Sequence, residues 1–363
     1  MGFLAVDLFC GAGGLSVGLQ RTGFDVILAN EIEADFAKTY QLNHPDTVVV
    51  VEDIKKINFK KKIASLGKAK SKISLLSGGP PCQGFSTVGS KKENDPRNSL
   101  FYQYLRVVEE LRPSYILFEN VSGFSRLYGG KPLQTLLKEL SKLDYKTTWS
   151  VLEASDFGLP QNRQRTILVG WQSKLPKVNL PSPTNSEEPH LFANGRKINL
   201  MDAISDLPPL GVNDSNDKYV GPPKNDFQKN LRNGEKTLTE HNSANYGEKM
   251  QKILSLVPAG GTVEDLPIEL RPRSYFKNTY ARLLPNVPAP TITRNFGTPS
   301  SSRCIHPFQN RALSTREGAR LQGFPDSYVF FGKRSSKNLQ IGNAVPPLFG
   351  EVIGKEIYRA LVS

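Results

Sequence analysis

No stretch of the 363 residues approaches the roughly 18–20 unbroken apolar residues that a membrane-spanning helix needs. The start, Met1-Gly2-Phe3-Leu4-Ala5-Val6-Asp7, has no basic segment, long apolar core or cleavage site. A soluble, cytoplasmic protein is therefore expected. Cysteine is scarce: Cys10, Cys82 and Cys304 lie far apart with no CxxC spacing, which argues against a disulfide framework and a zinc knuckle. A reducing compartment fits, and no metal is expected. There is no internal repeat and no low-complexity tract. The one glycine-rich turn, at Gly11 to Gly14, is not the GxGxxG fingerprint of dinucleotide enzymes.

Charge is what the chain has in excess. Lys+Arg number 47 against 34 Asp+Glu, a net +13, and such a balance favours a polyanionic partner. It is unevenly spread. Residues 1–53 carry two basic and eight acidic side chains, whereas Lys55, Lys56, Lys60, Lys61, Lys62, Lys68, Lys70 and Lys72 follow with no acid among them. A lysine run of this kind reads first as a solvated surface.

The first half alternates strands and helices. Phe3–Phe9, Val26–Ala29, Thr47–Val51, Ile73–Leu76 and Tyr115–Phe118 read as strands, with Thr148–Leu152 and Thr166–Trp171 as a closing pair. Gly14–Thr22, Ile32–Leu42, Ser99–Leu111 and Pro132–Leu143 read as helices between them. That is the rhythm of a doubly wound α/β sheet, in which ligands bind at the carboxyl ends of the strands. From about residue 172 to 290, prolines, asparagines and short apolar pieces replace it, as in a second, irregular domain. Helical periodicity returns at Ala312–Gly323 and Leu348–Leu361.

The candidate functional groups sit at the strand ends. In Gly79-Pro80-Pro81-Cys82-Gln83-Gly84-Phe85-Ser86 two prolines stiffen the backbone, glycines let a ligand approach, and Gln83 and Ser86 place hydrogen-bonding groups near the sulfur. This presents a reactive thiolate rather than hiding it. The turn Phe9-Cys10-Gly11-Ala12-Gly13-Gly14 brings backbone to a helix amino terminus. Glu31 ends the second strand, where an acid accepts hydrogen bonds from ribose hydroxyls, and Asp53 ends the third, within reach of an adenine amino group. Glu119 follows Tyr115-Ile116-Leu117-Phe118. Its burial there would raise its pKa and fit it for proton transfer, the bland alternative being a loop acid capping a helix. In Gln161-Asn162-Arg163-Gln164-Arg165 alternate residues share a face, so Gln161, Arg163 and Arg165 would converge on one polar ligand or form a solvated basic patch.

Taken in order, GAGG, PPCQ, ENV, QNRQR and Gln340-Ile341-Gly342-Asn343-Ala344-Val345-Pro346-Pro347, with Arg311 to Pro325 before the last, closely resemble the DNA (cytosine-5) methyltransferases of bacterial restriction-modification systems. The resemblance covers nearly all the chain except about 172–290. It implies a Rossmann-like α/β methyltransferase sheet carrying a smaller target-recognition domain. The expected division is 1–180 catalytic, 181–334 target-recognising and 335–363 completing the catalytic domain.

The resemblance further implies that Cys82 adds to carbon 6 of a flipped cytosine. Glu119 would act at ring nitrogen 3 and the amino group, and Arg163 and Arg165 would hold the base and its loop. Gln83, Ser86 and Gln161 would bind substrate. S-adenosylmethionine would lie against Phe9, Gly11, Gly13, Glu31, Ile32, Asp53, Ile54, Pro81, Leu100, Asn343 and Val345. The implied partner is double-stranded DNA, met by a monomer in the bacterial cytoplasm, with any cognate restriction endonuclease acting separately. Residues 172–290 carry 15 basic and 13 acidic side chains, so recognition there rests on a few groups, Arg271, Arg273, Tyr275 and Asn278 among the candidates. A tRNA methyltransferase shares most of these motifs. A non-catalytic DNA-binding homologue would have lost the thiol or the acid, and a nicotinamide oxidoreductase leaves PPCQ, ENV and QNRQR without roles.

Overall fold

The structure is a computed structural model that describes residues 2–68, 71–81, 100–186 and 195–363. It divides into two compact units, one made of Met1–Glu153, Gln164–Ser182 and Val345–Ser363, the other of Ala154–Arg163 and Pro183–Ala344. Relative to the division 1–180, 181–334 and 335–363, residues 154–163 and 335–344 group with the second unit. No helix among the described residues is long and apolar enough to cross a membrane.

The first unit is built on strands β1 (Phe3–Leu8), β2 (Phe24–Glu31), β3 (Val48–Val51), β4 (Leu75–Gly78), β5 (Tyr115–Val121) and β6 (Tyr145–Glu153), then, after the two-residue β7 (Gln161–Asn162) of the other unit, β8 (Gln164–Gln172). Their order is β3-β2-β1-β4-β5-β8-β6. The first five run parallel and β8 runs antiparallel to both neighbours. Chain order reverses between β1 and β4, which places the ligand-binding crevice of such a sheet at their carboxyl ends. Because β8 is inverted, its first residues lie at that same end, with Arg165 opposite Val121.

Helices α1 (Gly14–Arg21), α2 (Ala34–Asn43), α4 (Leu100–Leu111) and α5 (Lys131–Lys142) follow the expected alternation, while the short α3 (Phe59–Ile63), within the lysine run, was not among the expected elements. Central strands covered on both faces are apolar along their length, and Leu8, Leu28, Leu76, Ile116 and Phe118 form one buried cluster with Tyr104, Phe124 and Leu136. The second helix begins two residues later than the periodicity places it. The Glu31 carboxylate holds the amides of Ile32 and Glu33 in a turn, so helical geometry starts at Ala34.

The C-terminal helix Pro347–Val362 packs on α1 backbone to backbone. A Cβ on Gly18 would stand 2.1 Å from the Pro347 carbonyl, and one on Gly350 would stand 2.4 Å from that of Leu15. Tyr358 lays its ring 5.3 Å from Phe3 of β1, edge on.

The second unit contains α6 (Leu200–Ile204), α7 (Asp226–Arg232), α8 (Glu248–Leu256), α9 (Thr315–Leu321) and α10 (Arg334–Asn343). Its interior is tied by guanidinium groups. Arg163, Arg311, Arg316 and Arg320 are each at most 1% exposed, so their charges need buried partners. Arg311 Nη2 lies 2.7 Å from Glu317 Oε1, Arg320 Nη2 lies 2.6 Å from Asp326 Oδ2, and Arg320 and Arg232 share Asp206. The Arg311 to Pro325 motif thus supplies internal scaffolding, begun by the Ser314–Glu317 capping box of α9.

Candidate functional site

Above the β1 end the chain turns with Phe9, Gly11 and Gly13 all at positive φ (54°, 57° and 87°). Glycine adopts such values without strain and Phe9 does not, so the turn is held in place by its surroundings. Among the described residues, no atom beyond its chain neighbours lies within 4 Å of the position that a Gly11 Cβ would take. Glu31 braces this turn: its Oε2 accepts from the Gly11 amide at 2.9 Å, and its Oε1 accepts from Ile32 at 2.8 Å and Glu33 at 3.0 Å. Burial raises the Glu31 pKa above the usual carboxylate range, and those three amides oppose it.

Ile32, 62% exposed, stands beside Glu31. Asp53 is half-buried, with Oδ1 accepting from the Lys55 amide at 3.0 Å, and Ile54 is buried. Pro81 is exposed, and Leu100 and Val345 are half-buried. All of these belong to the first unit, whereas Asn343, exposed at the end of α10, belongs to the second.

Beneath the turn is a polar network that the strand reading of Phe3 to Phe9 did not anticipate. Asp7, 1% exposed, accepts from Ser16 Oγ at 2.6 Å and Ser77 Oγ at 2.7 Å, and Tyr40 donates to Ser16 at 2.7 Å. Burial pushes the Asp7 carboxyl up to about 6, the hydroxyls pulling the other way. Cys10 and Cys304 are buried with their thiols pushed up by burial, as structural cysteines are.

The acid lies at the end of β5. Glu119 is buried, and its Oε1 is 2.9 Å from Arg165 Nε, both side chains being little exposed. Burial pulls the Arg165 guanidinium below its ordinary range while Glu119 opposes that shift. The turn after β4 comes right up to this pair. A Cβ on Gly79 would stand 2.9 Å from Glu119 Oε2, so only glycine leaves the carboxylate its place. Next to it Asn120 Nδ2 donates to the Pro80 carbonyl at 3.0 Å, anchoring the proline turn to β5. Cys82, Gln83 and Ser86 lie outside the described residues.

Of the three residues expected to converge on one ligand, Gln161 and Arg163 are held by hydrogen bonds within the second unit. Gln161 is fully buried, its amide donating to the Leu321 carbonyl and Gln322 Oε1 and accepting from the Ile292 amide. Arg163, equally buried, donates to the carbonyls of Ile292, Gly342 and Ala344 at 2.9–3.0 Å. Both side chains therefore support the second unit from within. Arg165, in the first unit, pairs with the acid. The reason is that the chain passes between units at this point, so side chains two apart enter different interiors.

Among the recognition candidates, Arg273, Tyr275 and Asn278 are exposed, but Arg271 is spent on the carbonyls of Leu266 and Glu264 at 2.8 and 2.6 Å.

Residues 3–359 match the family model of the C-5 cytosine-specific DNA methylases. The chain is 31% identical to the type II methyltransferase M.AgeI of Thalassovita gelatinovora over 98% of its own length and 99% of that protein's. It is 33% identical to M.DdeI of Desulfomicrobium norvegicum over 97% and 88%. Among solved structures, a putative DNA modification methyltransferase encoded within an Escherichia coli prophage superposes with a TM-score of 0.80 at 28% identity, covering 99% of this chain and all of that one.

Proposed function

This chain belongs to the C-5 cytosine-specific DNA methylase family, and we propose that it methylates carbon 5 of one cytosine within a specific double-stranded DNA sequence, using Cys82 as covalent nucleophile. The observation that carries the reading is the Glu119–Arg165 pair set against Gly79, three residues before that cysteine. The type II relatives point to a restriction-modification role, protecting DNA from a separately acting endonuclease.

The residues around the β1 turn fit S-adenosylmethionine. Gly11, with no described residue packed on its Cβ position, leaves its backbone to a ligand, Glu31 offers a carboxylate at its edge, and the exposed Ile32 offers an apolar face. Phe9, Gly13, Asp53, Ile54, Pro81, Leu100 and Val345, all of the first unit, would complete its contacts. When bound, this group supplies the electrophilic sulfonium methyl that carbon 5 takes up.

Carbon 5 of cytosine is a weak nucleophile, and Cys82 changes that. Its thiolate forms a bond to carbon 6, and the carbon 5–carbon 6 electron pair becomes available at carbon 5. Glu119 hydrogen-bonds to or protonates ring nitrogen 3, offsetting the negative charge pushed onto the ring. Arg165 acts through Glu119, fixing the carboxylate's position. After methylation carbon 5 loses its proton to solvent, the double bond re-forms, and the Cys82 thiolate leaves. A base inside a duplex cannot reach these groups, so it must be flipped out.

Bisulfite sequencing of DNA from cells expressing the chain tests this. Methylation at one recurrent motif, abolished by Cys82→Ser, is expected. Methyl groups found in tRNA and none in DNA would overturn it.

A further inference from the structure

Within the second unit, residues 264–279 form a loop closed at its base and braced inside. The Val263 amide donates to the Thr279 carbonyl at 3.0 Å, and these two residues are 0% and 2% exposed. Arg271 donates Nε and Nη2 to the carbonyls of Leu266 and Glu264, and the Thr279 amide closes a turn onto the Phe276 carbonyl at 2.8 Å. A guanidinium used in this way fixes a loop rather than a ligand.

On this braced frame the loop holds apolar groups in water. Ile268 is 81% exposed, Phe276 72% and Tyr275 39%. Large apolar side chains left in water on a braced loop mark a contact site, and Tyr275 and Phe276 are adjacent in the chain. Their neighbours indicate the partner: Arg273 and Lys277 are exposed, and residues 271–278 contain no acid. Aromatic rings interleaved with cations suit nucleic acid, which offers flat apolar base faces between phosphates.

We propose that this loop is the DNA-reading element of the chain, with Phe276 making an apolar contact to base pairs of the target duplex and Arg273 and Lys277 contacting the flanking phosphates. The inference rests on the DNA methyltransfer reading above and names the residues that choose its site.

The test is to express the wild-type chain, Phe276→Ala, Phe276→Leu and the double variant Arg273→Ala/Lys277→Ala in cells lacking their own cytosine-5 methylation, and to sequence their DNA after bisulfite. Melting temperature and S-adenosylmethionine affinity of the purified proteins serve as fold controls. Phe276→Ala is expected to lower methylation at the wild-type motif about tenfold or more, the scale of one lost base contact, and to relax one motif position. Phe276→Leu should keep most of the activity. The double variant should keep the motif and lower the salt dependence of binding to a random duplex by about two units of slope.

A Phe276→Ala protein with wild-type melting temperature, motif and extent of methylation overturns the inference while leaving the proposed function standing. So does an oligomer of the wild-type chain that Phe276→Ala dissolves, because a second copy would then cover the patch. If the wild-type chain leaves no mark on DNA, the proposed function itself fails and the inference falls with it.

Discussion

Arg165 Nε approaches Glu119 Oε1 to 2.9 Å, joining the first residues of β8 to the end of β5 across one antiparallel ladder. Each residue explains the other. A buried carboxylate needs a charge partner, and a buried guanidinium needs the same. The acid that would act on the cytosine ring is therefore held by a residue from a motif 42 positions further along the chain.

Glu119→Gln keeps the shape and removes the charge and the capacity to take up and give a proton. Its single-turnover methyl transfer should fall by about a hundredfold or more, on the scale of a positioned general acid. Arg165→Lys should lower kcat more than it raises KM for DNA, because a single ammonium cannot hold the carboxylate as a planar fork does. An unchanged single-turnover rate in Glu119→Gln removes the acid from the mechanism.

Gly79→Ala tests the positioning of that acid. The new methyl would meet Glu119 Oε2 at 2.9 Å, and the flexible end of the side chain gives way more readily than the backbone. The melting temperature should change little, while kcat falls by roughly tenfold to a hundredfold, as expected when a reacting group is displaced by a fraction of an ångström. Stopped-flow methyl transfer beside a thermal melt separates the two effects.

Gly350→Ala should do the reverse. Its methyl would be driven to 2.4 Å from a backbone carbonyl of Leu15, where nothing flexible can yield. We expect a loss of about 3 kcal/mol in unfolding free energy, at the upper end for overpacking, read by urea denaturation.

Asp7 sets a pH dependence. Its carboxyl is raised from 3.8 to about 6 in the folded chain, so folding favours the protonated form. The associated stability is full below pH 4 and is lost as pH rises through 6, amounting to about 3 kcal/mol at 1.36 kcal/mol per unit. Subtracting the stability profile of Asp7→Asn from that of the wild type should leave a decline confined to that window. A flat difference would show that Asp7 titrates as an ordinary carboxylate.

The sheet was legible because apolar runs at the right spacing, such as Tyr115 to Phe118, have few alternatives to becoming central strands. Helix ends were less so, since Glu31 delays α2 by a side-chain bond that periodicity does not record. The burial of Gln161 and Arg163 was not legible for a similar reason. Alternation places residues on one side of a strand but says nothing of a chain that leaves one interior for another.

The family and the alternating fold could be read from residue order alone, because spaced motifs and hydrophobic periodicity are local properties of the chain. The sequence named Cys82, Glu119, Glu31 and the glycine turn without any coordinates. The pairing of Arg165 with the acid, the room that Gly79 leaves for it, the bracing by Arg271 and the exposure of Phe276 came from the folded chain. Those facts depend on which side chains packing brings together or leaves in water, and local sequence pattern does not record that.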